Sequence, residues 1–380
     1  MKRRRKENRV QPLKVIVSGG GTGGHIFPAI AIANALKAMV PGIEILFVGA
    51  EGRMEMEKVP AAGYKIEALW ISGLQRRLTV KNLAFPFKVL SSIMKAKKIL
   101  DRFRPDAVIG TGGYASGPML RVASKRGIPT LIQEQNSFPG ITNKILSKRV
   151  DRICVAYDGM ERFFPKEKIV LAGNPVRQDI LELSGKRERG LETFKLDGSK
   201  RTLLVIGGSL GARTINESIA LCLDELVKND IQLVWQTGKG YFETAKQLVQ
   251  KYEGKGIRAF DFISRMDHAY SVADAVVSRA GAISVSELCL VKKAAILIPS
   301  PNVAEDHQTK NALALVNHHA AILVKDAEAK EKLCGQVIAL MNDKAMMGKL
   351  EDNISKLAFK NSADVIASEV LQLVNRKKAK

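Results

Sequence analysis

A chain of 380 residues, 46% apolar and 26% charged, has the length for two α/β domains and the balance of a folded protein. Its 60 basic residues outnumber 38 acidic ones, a formal charge of +22 that asks for a polyanionic partner: nucleic acid, an anionic membrane face or phosphorylated substrates. Part of the excess sits at the ends, in Lys2, Arg3, Arg4, Arg5, Lys6 and Arg9 and in Arg376, Lys377, Lys378 and Lys380. The basic start runs into only one strand-length apolar segment, so no secretory signal peptide is expected, and nothing approaches the roughly 18 apolar residues of a membrane span. Cys154, Cys222, Cys289 and Cys334 lie far apart without a C-x-x-C pair, so they are expected to be buried thiols in a reducing compartment. The expected location is the cytoplasm or the cytoplasmic face of a membrane.

Short apolar runs alternate with helical patterns from the start, the mark of parallel β/α folds. Lys14 to Ser18 reads as a buried strand entering the turn Gly19-Gly20-Gly21-Thr22-Gly23-Gly24-His25. A largely buried helix follows, with Pro28 placed in its first turn, where a missing N–H is tolerated. Further strands are expected at Ile43 to Val48, Tyr64 to Leu69, Asp106 to Gly110, Thr130 to Gln133, Arg152 to Ala156 and Ile169 to Ala172. The charged, breaker-rich stretch Leu181 to Lys200 reads as an inter-domain linker with short helical pieces. A second series then opens with Thr202 to Ile206 and the loop Gly207-Gly208-Ser209-Leu210-Gly211. It continues with strands at Ile231 to Gln236, Ala275 to Ser278, Ala295 to Ile298 and Ala321 to Val324.

The two series echo each other. Leu13 to Gly24 matches Leu203 to Gly211 as strand, glycine-rich loop and helix, and Asp106 to Gly113 matches Asp274 to Gly281. The pattern predicts an α/β protein with two Rossmann-like domains of one internal order facing a cleft. Glycines at strand-to-helix turns let backbone N–H groups approach a ligand, and the helix N-terminus favours negative charge. Gly19-x-Gly21-x-x-Gly24 formally matches the dinucleotide fingerprint. That fingerprint wants an acidic residue closing the second strand, and here Glu51 comes a residue late; comparable loops also recur twice. An oxidoreductase is therefore disfavoured.

Taken together, Gly19 to His25, Gly110-Thr111-Gly112-Gly113-Tyr114, Glu134-Gln135-Asn136 with Thr142-Asn143-Lys144, Gly173-Asn174-Pro175-Val176-Arg177, Gly207 to Gly211, Arg279-Ala280-Gly281-Ala282 and His307-Gln308-Thr309-Lys310-Asn311 resemble the MurG family. These are the N-acetylglucosaminyltransferases that convert lipid I to lipid II in peptidoglycan synthesis. The motifs run in order from about residue 13 to 360 and are specific as a set. The resemblance implies the GT-B glycosyltransferase fold. Residues 1–177 would form an acceptor- and membrane-binding domain, with a C-terminal helix at 362–380 packing back on it, and 178–361 the domain for UDP-N-acetylglucosamine (UDP-GlcNAc).

Carried over by position, the resemblance implies that Thr22, Gly23, Gly24 and Asn136 contact the donor from across the cleft. Arg177 and Ser209 would hold its diphosphate, and Ile263 would meet the uracil through its backbone. Ala282, Ile283, Ser284, Val285, Ser286 and Glu287 would cradle the nucleotide, with Glu287 on the ribose hydroxyls, and Gln308 would bind the sugar hydroxyls. Gly20, Gly21, Gly112, Gly113 and Tyr114 would face the acceptor. Gln133 departs from the pattern, since some members carry His there.

Inverting transfer from an α-linked UDP-sugar needs in-line attack by the acceptor 4-OH on C1, a base for its proton and stabilisation of departing UDP. No D-x-D metal motif occurs, so no metal and no cofactor are expected; helix N-termini and Arg177 would meet the diphosphate charge. His25 leads as general base because it opens the helix and imidazole is the side chain suited to proton transfer at neutral pH. Glu134 is the second candidate; its plainer reading is a carboxylate that ties down its loop.

Between Trp70 and Arg104, apolar residues (Trp70, Ile71, Leu74, Leu78, Leu83, Phe85, Phe87, Leu90, Ile93) interleave with Arg76, Arg77, Lys81, Lys88, Lys95, Lys97, Lys98, Arg102 and Arg104. Such a surface suits an anionic leaflet holding a polyprenyl substrate. Expected partners are UDP-GlcNAc, lipid I, the anionic cytoplasmic membrane face and other cell-wall and division proteins. Aromatics total only 6% and no stacking or groove-reading motif appears, so nucleic acid is not among them. Competing enzyme readings are a UDP-GlcNAc 2-epimerase and a glycolipid glycosyltransferase.

Overall fold

The computed structural model describes residues 12–72, 85–208 and 211–379. It divides into two compact units. The first holds the described residues up to Gln135, Pro139–Pro175 and those from Asn361 on; the second holds Asn136–Phe138 and Val176–Lys360.

In chain order the first unit contains β1 (Lys14–Ser18), α1 (Gly23–Met39), β2 (Glu44–Ala50), α2 (Glu55–Ala61), β3 (Lys65–Leu69), α3 (Phe85–Phe103), β4 (Ala107–Gly110), α4 (Ser116–Lys125), β5 (Thr130–Glu134), α5 (Ile141–Ser147), β6 (Arg152–Val155) and β7 (Ile169–Leu171). The second contains α6 (Arg187–Phe194), β8 (Arg201–Ile206), α7 (Arg213–Ala220), α8 (Leu223–Lys228), β9 (Ile231–Gln236), α9 (Lys239–Val249), β10 (Ile257–Phe260), α10 (Met266–Val272), β11 (Ala275–Ser278), α11 (Ala282–Val291), β12 (Ala294–Leu297), α12 (His307–Val316), β13 (Ile322–Leu323), α13 (Ala329–Asn342) and α14 (Lys344–Ser355). The last helix, α15 (Ser362–Lys378), returns to the first unit and packs on α1.

Both sheets are parallel, and they share one strand order: β3-β2-β1-β4-β5-β6-β7 and β10-β9-β8-β11-β12-β13. In each sheet the order of strand addition therefore reverses at the first strand, between β1 and β4 and between β8 and β11. In open parallel sheets such a switch point, at the carboxyl ends of the strands, is where ligands bind. The strands are continuous apolar runs because both faces are covered. Alternate residues of β1 go to opposite sides: Val15 and Val17 pack with α1 and α15, whereas Ile16 packs with residues of α3 and α4. In the second unit Leu203 and Val205 join Ile215, Ile219 and Trp235 in one core.

Four readings change. Ile257–Phe260 is a strand that the pattern did not announce, a four-residue edge strand carrying Arg258. Helix α1 begins at Gly23, so Pro28 lies inside it, one turn later than expected; its missing N–H costs the Gly24 carbonyl its intrahelical partner. The stretch expected as a linker contains α6, which packs on α10 so closely that a Cβ on Gly190 would fall 2.6 Å from Val272 Cγ1. Finally, Cys222 and Cys334 are joined in a disulfide, with their Cα atoms 5.3 Å apart. A separation of 112 residues hid this pair, which exists because α7 and α13 pack together. Cys154 and Cys289 are buried free thiols; burial pushes Cys289 to about 12 and raises Cys154 as well, so both are inert.

Candidate active site

The loop after β1 in the first unit is held from below by a carboxylate that sequence reasoning missed. Glu55 opens α2 and is fully buried. Its Oε2 accepts the Gly21 N–H at 2.8 Å and its Oε1 accepts the Ala50 N–H at 3.0 Å. A Cβ at Gly20, whose φ is +155°, would fall 2.0 Å from Glu55 Oε1, so only glycine admits the carboxylate there. Glu55 stands four residues beyond Glu51 and accepts from the protein's own Gly21 and Ala50 amides. The signal was present: an acidic residue in the first turn of the next helix.

His25 sits on the first turn of α1, half-buried. Its Nδ1 lies 2.9 Å from the Gly20 carbonyl oxygen and 3.2 Å from Thr22 Oγ1. A carbonyl can only accept, so Nδ1 carries the proton, and in the neutral ring the lone pair is on Nε2. Thr111 Oγ1 donates to the His25 carbonyl at 3.0 Å. The β4 loop closes against the ring: a Cβ at Gly112 (φ +97°) would lie 2.8 Å from His25 Cδ2. Gly113 lies against the Gly20 carbonyl, and Tyr114 is exposed. The structure thus brings Gly20, Gly21, Gly112 and Gly113 around His25.

Glu134 has a different set of partners. It closes β5, is buried, and its Oε2 accepts from the Gly140 N–H at 3.1 Å and Asn143 Nδ2 at 2.8 Å. Those bonds tie down the loop between β5 and α5. Gln133, also buried, donates to Asn174 Oδ1.

In the second unit the helix N-termini after β8 and β11 are the charged feature. Helix α11 starts at Ala282 after the N-cap Gly281, without an acidic first turn or a side-chain cap, which leaves its terminal N–H groups and positive dipole end for an anion. Ser209 and Leu210 lie outside the described residues, so the loop between β8 and α7 is seen only at its ends. Glu287, further along α11, is buried; its Oε1 accepts from Arg177 Nε at 3.0 Å and its Oε2 from the Tyr270 hydroxyl at 3.1 Å. Burial raises the Glu287 pKa against the pull of Arg177 and Tyr270. Arg177 and Glu287 thus meet directly, a pairing the sequence did not show, and Tyr270 is a partner it did not name.

The remaining candidate residues bond within the protein itself. The Ile263 N–H bonds Gln236 Oε1 at 2.9 Å, the Ser286 hydroxyl bonds the Ala282 carbonyl, and Gln308 Oε1 accepts the Ser300 N–H at 2.9 Å. Asn136 is held through buried Asn311, whose Nδ2 reaches Asn136 Oδ1 at 3.2 Å and whose Oδ1 accepts the Ser137 N–H at 3.0 Å. Among the described residues no group of three or more His, Cys, Asp or Glu is placed to hold a metal.

On α3, Phe87, Leu90 and Met94 are exposed at helical spacing, while Ser92, Ala96, Ile99 and Leu100 are buried on the opposite side. Trp70 is exposed too, with Lys88 Nζ 5.5 Å from its ring centroid. Residues 73–84, including Leu74, Arg76, Arg77, Leu78, Lys81 and Leu83, lie outside the described residues. No described helix is long and apolar enough to cross a membrane.

Two parallel sheets of one order, each with a glycine-rich turn at its switch point, define the two-Rossmann-domain class of GT-B glycosyltransferases. Comparison with known proteins agrees. The glycosyltransferase family 28 N-terminal domain matches residues 15–155 and the family's C-terminal domain matches residues 202–369. The chain belongs to glycosyltransferase family 28. It is 54% identical, over 97% of its length and 100% of the relative's, to the UDP-N-acetylglucosamine--N-acetylmuramyl-(pentapeptide) pyrophosphoryl-undecaprenol N-acetylglucosamine transferase of Flavobacterium psychrophilum. The crystal structure of Acinetobacter baumannii MurG superimposes with a TM-score of 0.76 at 27% identity, covering 95% of this chain and 100% of that one. A UDP-N-acetylglucosamine 2-epimerase structure (TM-score 0.64, 12% identity, 97% and 98% covered) shares the fold alone.

Proposed function

We propose that this chain transfers N-acetylglucosamine from UDP-GlcNAc to the 4-OH of the MurNAc in lipid I, with inversion and without a metal ion, to give lipid II. That the enzyme is an N-acetylglucosaminyltransferase follows from its family and its named relatives. In the step itself, the acceptor oxygen forms a bond to C1 of the sugar as the bond from C1 to the phosphate oxygen breaks. The bonding electrons leave with UDP, and the hydroxyl proton passes to a base.

We assign that base to His25 Nε2. The observation that carries the assignment is the 2.9 Å contact between Nδ1 and the Gly20 carbonyl, which puts the lone pair on the other nitrogen. Glu134 is the weaker candidate because its carboxylate serves Gly140 and Asn143. Gly20, Gly21, Gly112, Gly113 and Tyr114 would flank the acceptor, while Thr22, Gly23, Gly24 and Asn136 would reach the donor sugar. For the donor, the N-termini of α7 and α11 and the Arg177 guanidinium supply positive charge for the diphosphate, and Ser209 would contact the same group. Glu287 would take the ribose hydroxyls, the Ile263 backbone the uracil, Ala282 to Ser286 the nucleotide and Gln308 the sugar hydroxyls. The exposed stripe on α3 and its lysines would hold the enzyme peripherally on an anionic leaflet, where a polyprenyl acceptor resides.

The test is transfer of label from UDP-GlcNAc to a lipid I analogue in EDTA. Transfer is expected; its absence would sink the activity, and restoration only on adding a divalent cation would sink the metal-free step. Product retaining the α configuration would overturn inversion.

A further inference from the structure

Glu55 and His25 grip opposite ends of one peptide unit. A trans peptide is planar, with its N–H and C=O pointing in opposite directions. The unit between Gly20 and Gly21 gives its N–H to Glu55 Oε2 at 2.8 Å, and its carbonyl oxygen lies 2.9 Å from His25 Nδ1. The carboxylate is fully buried and braced at its other oxygen by the Ala50 N–H at the end of β2. Gly113 closes the far side, since a Cβ there would fall 2.3 Å from the Gly20 oxygen. The peptide plane therefore has no freedom to flip: turning it over would set the Gly20 oxygen against a carboxylate and offer His25 an N–H instead.

We propose that Glu55 is a positioning residue for the transfer reaction, acting through the Gly20–Gly21 peptide to hold His25 as the Nδ1–H tautomer with its basic lone pair on Nε2. The proposal rests on the reading of His25 as the base. It also gives the glycine turn a different use from its dinucleotide-like spacing. A side-chain oxygen of the protein itself, Glu55 Oε2, occupies the Gly21 amide, so that amide is not offered to a substrate phosphate. In a chain of aligned hydrogen bonds each link polarises the next, so the carboxylate strengthens the Gly20 carbonyl as an acceptor as well as aiming it.

The experiment uses the full chain labelled with ¹⁵N-histidine, with the His25 signals among the five histidines assigned from the His25→Ala spectrum. Native His25 is expected as the Nδ1–H tautomer, and Glu55→Gln as a mixture of both. Turnover of Glu55→Gln should fall on the order of 10- to 100-fold, with the KM for UDP-GlcNAc within about twofold. In a His25→Ala background the same substitution should slow the enzyme no further. Gly20→Ala attacks the same link from the peptide side, because its Cβ meets the carboxylate, and should reproduce both effects. UDP-GlcNAc binding reports that each variant is folded. An Nδ1–H tautomer unchanged in both variants, or an equal loss from Glu55→Gln with and without His25, would overturn the proposal. Native-like turnover of His25→Ala would instead overturn the base assignment, and the role of Glu55 in the reaction with it.

Discussion

Arg177 and Glu287 form an ion pair at 3.0 Å within the second unit, and the buried Tyr270 hydroxyl closes the other carboxylate oxygen at 3.1 Å. The pair gives the proposed ribose-binding carboxylate a fixed orientation on α11. Removing the Tyr270 hydroxyl deletes a hydrogen bond to a charged group, about 1.5–3 kcal/mol in general. Tyr270→Phe is expected to weaken UDP binding roughly tenfold and to narrow the preference for UDP over 2′-deoxy-UDP, both read by calorimetry. Burial already raises the Glu287 pKa, and the Tyr270 hydrogen bond opposes that rise. Its loss should therefore move the acid-side fall in UDP affinity to higher pH. An unaltered ribose preference would take Glu287 off the ribose.

His25→Ala removes the proposed base and changes no residue of the second unit. Turnover should fall by about 10²- to 10⁴-fold, while the UDP dissociation constant stays within about twofold. Steady-state transfer and UDP titration together separate the two quantities.

Asp267 gives a stability prediction with a definite sign. It is buried, and hydrogen bonds from Arg265 first, then Lys186, hold its carboxyl well below the usual range. A depressed carboxyl stabilises the fold above its unfolded pKa of about 4 and loses that contribution as pH falls through the folded value. Asp267→Asn should cost about 1.5–3 kcal/mol at pH 7, and the gap to the native chain should shrink progressively below about pH 4. Urea unfolding at a series of pH values measures it; a gap independent of pH would contradict the ion-pair account.

The Cys222–Cys334 bridge ties the segment after α7 to α13. Closing so long a loop restricts the unfolded chain, worth about 2–4 kcal/mol in typical proteins. Reductant should lower the denaturation midpoint of the native chain and leave that of Cys222→Ser/Cys334→Ser unchanged. Equal midpoints for the native chain with and without reductant would remove the bridge as a stabilising element.

The α3 face should report on lipid. Phe87→Ser combined with Leu90→Ser removes two exposed apolar side chains, each worth about 1.5–3 kcal/mol when fully buried. Sedimentation with anionic vesicles is expected to fall at least about tenfold in the double variant, and to fall for the native chain when salt screens the lysines. Equal partition at low and high salt would count against a membrane role.

Much of this architecture was legible because parallel strands covered on both faces appear as uninterrupted apolar runs. Val15-Ile16-Val17 and Leu203-Leu204-Val205-Ile206 are plain examples, and the glycine-rich turns after them mark the switch points. Arg258 interrupts such a run at a sheet edge, which is why β10 was missed. The candidate site was legible only in part, since its motifs name residues but not their partners. Glu55 shows in the sequence only as an acid in the first turn of α2, while Tyr270 and Asn311 act through bonds to residues 17 and 175 positions away, and no local pattern records such distances. Cys222 and Cys334 were unreadable as a pair for the same reason.

The return of α15 has a practical outcome for anyone dissecting this enzyme. Because the chain leaves the first unit near Pro175 and re-enters it at Asn361, a fragment ending at residue 175 would strip α1 of Ile366, Val370 and Val374, which share its core. Such a fragment is expected to expose that apolar face and aggregate. A circular permutant that joins 361–380 directly to the β1 end, rather than a simple truncation, would keep those core partners while making the first unit one continuous gene segment.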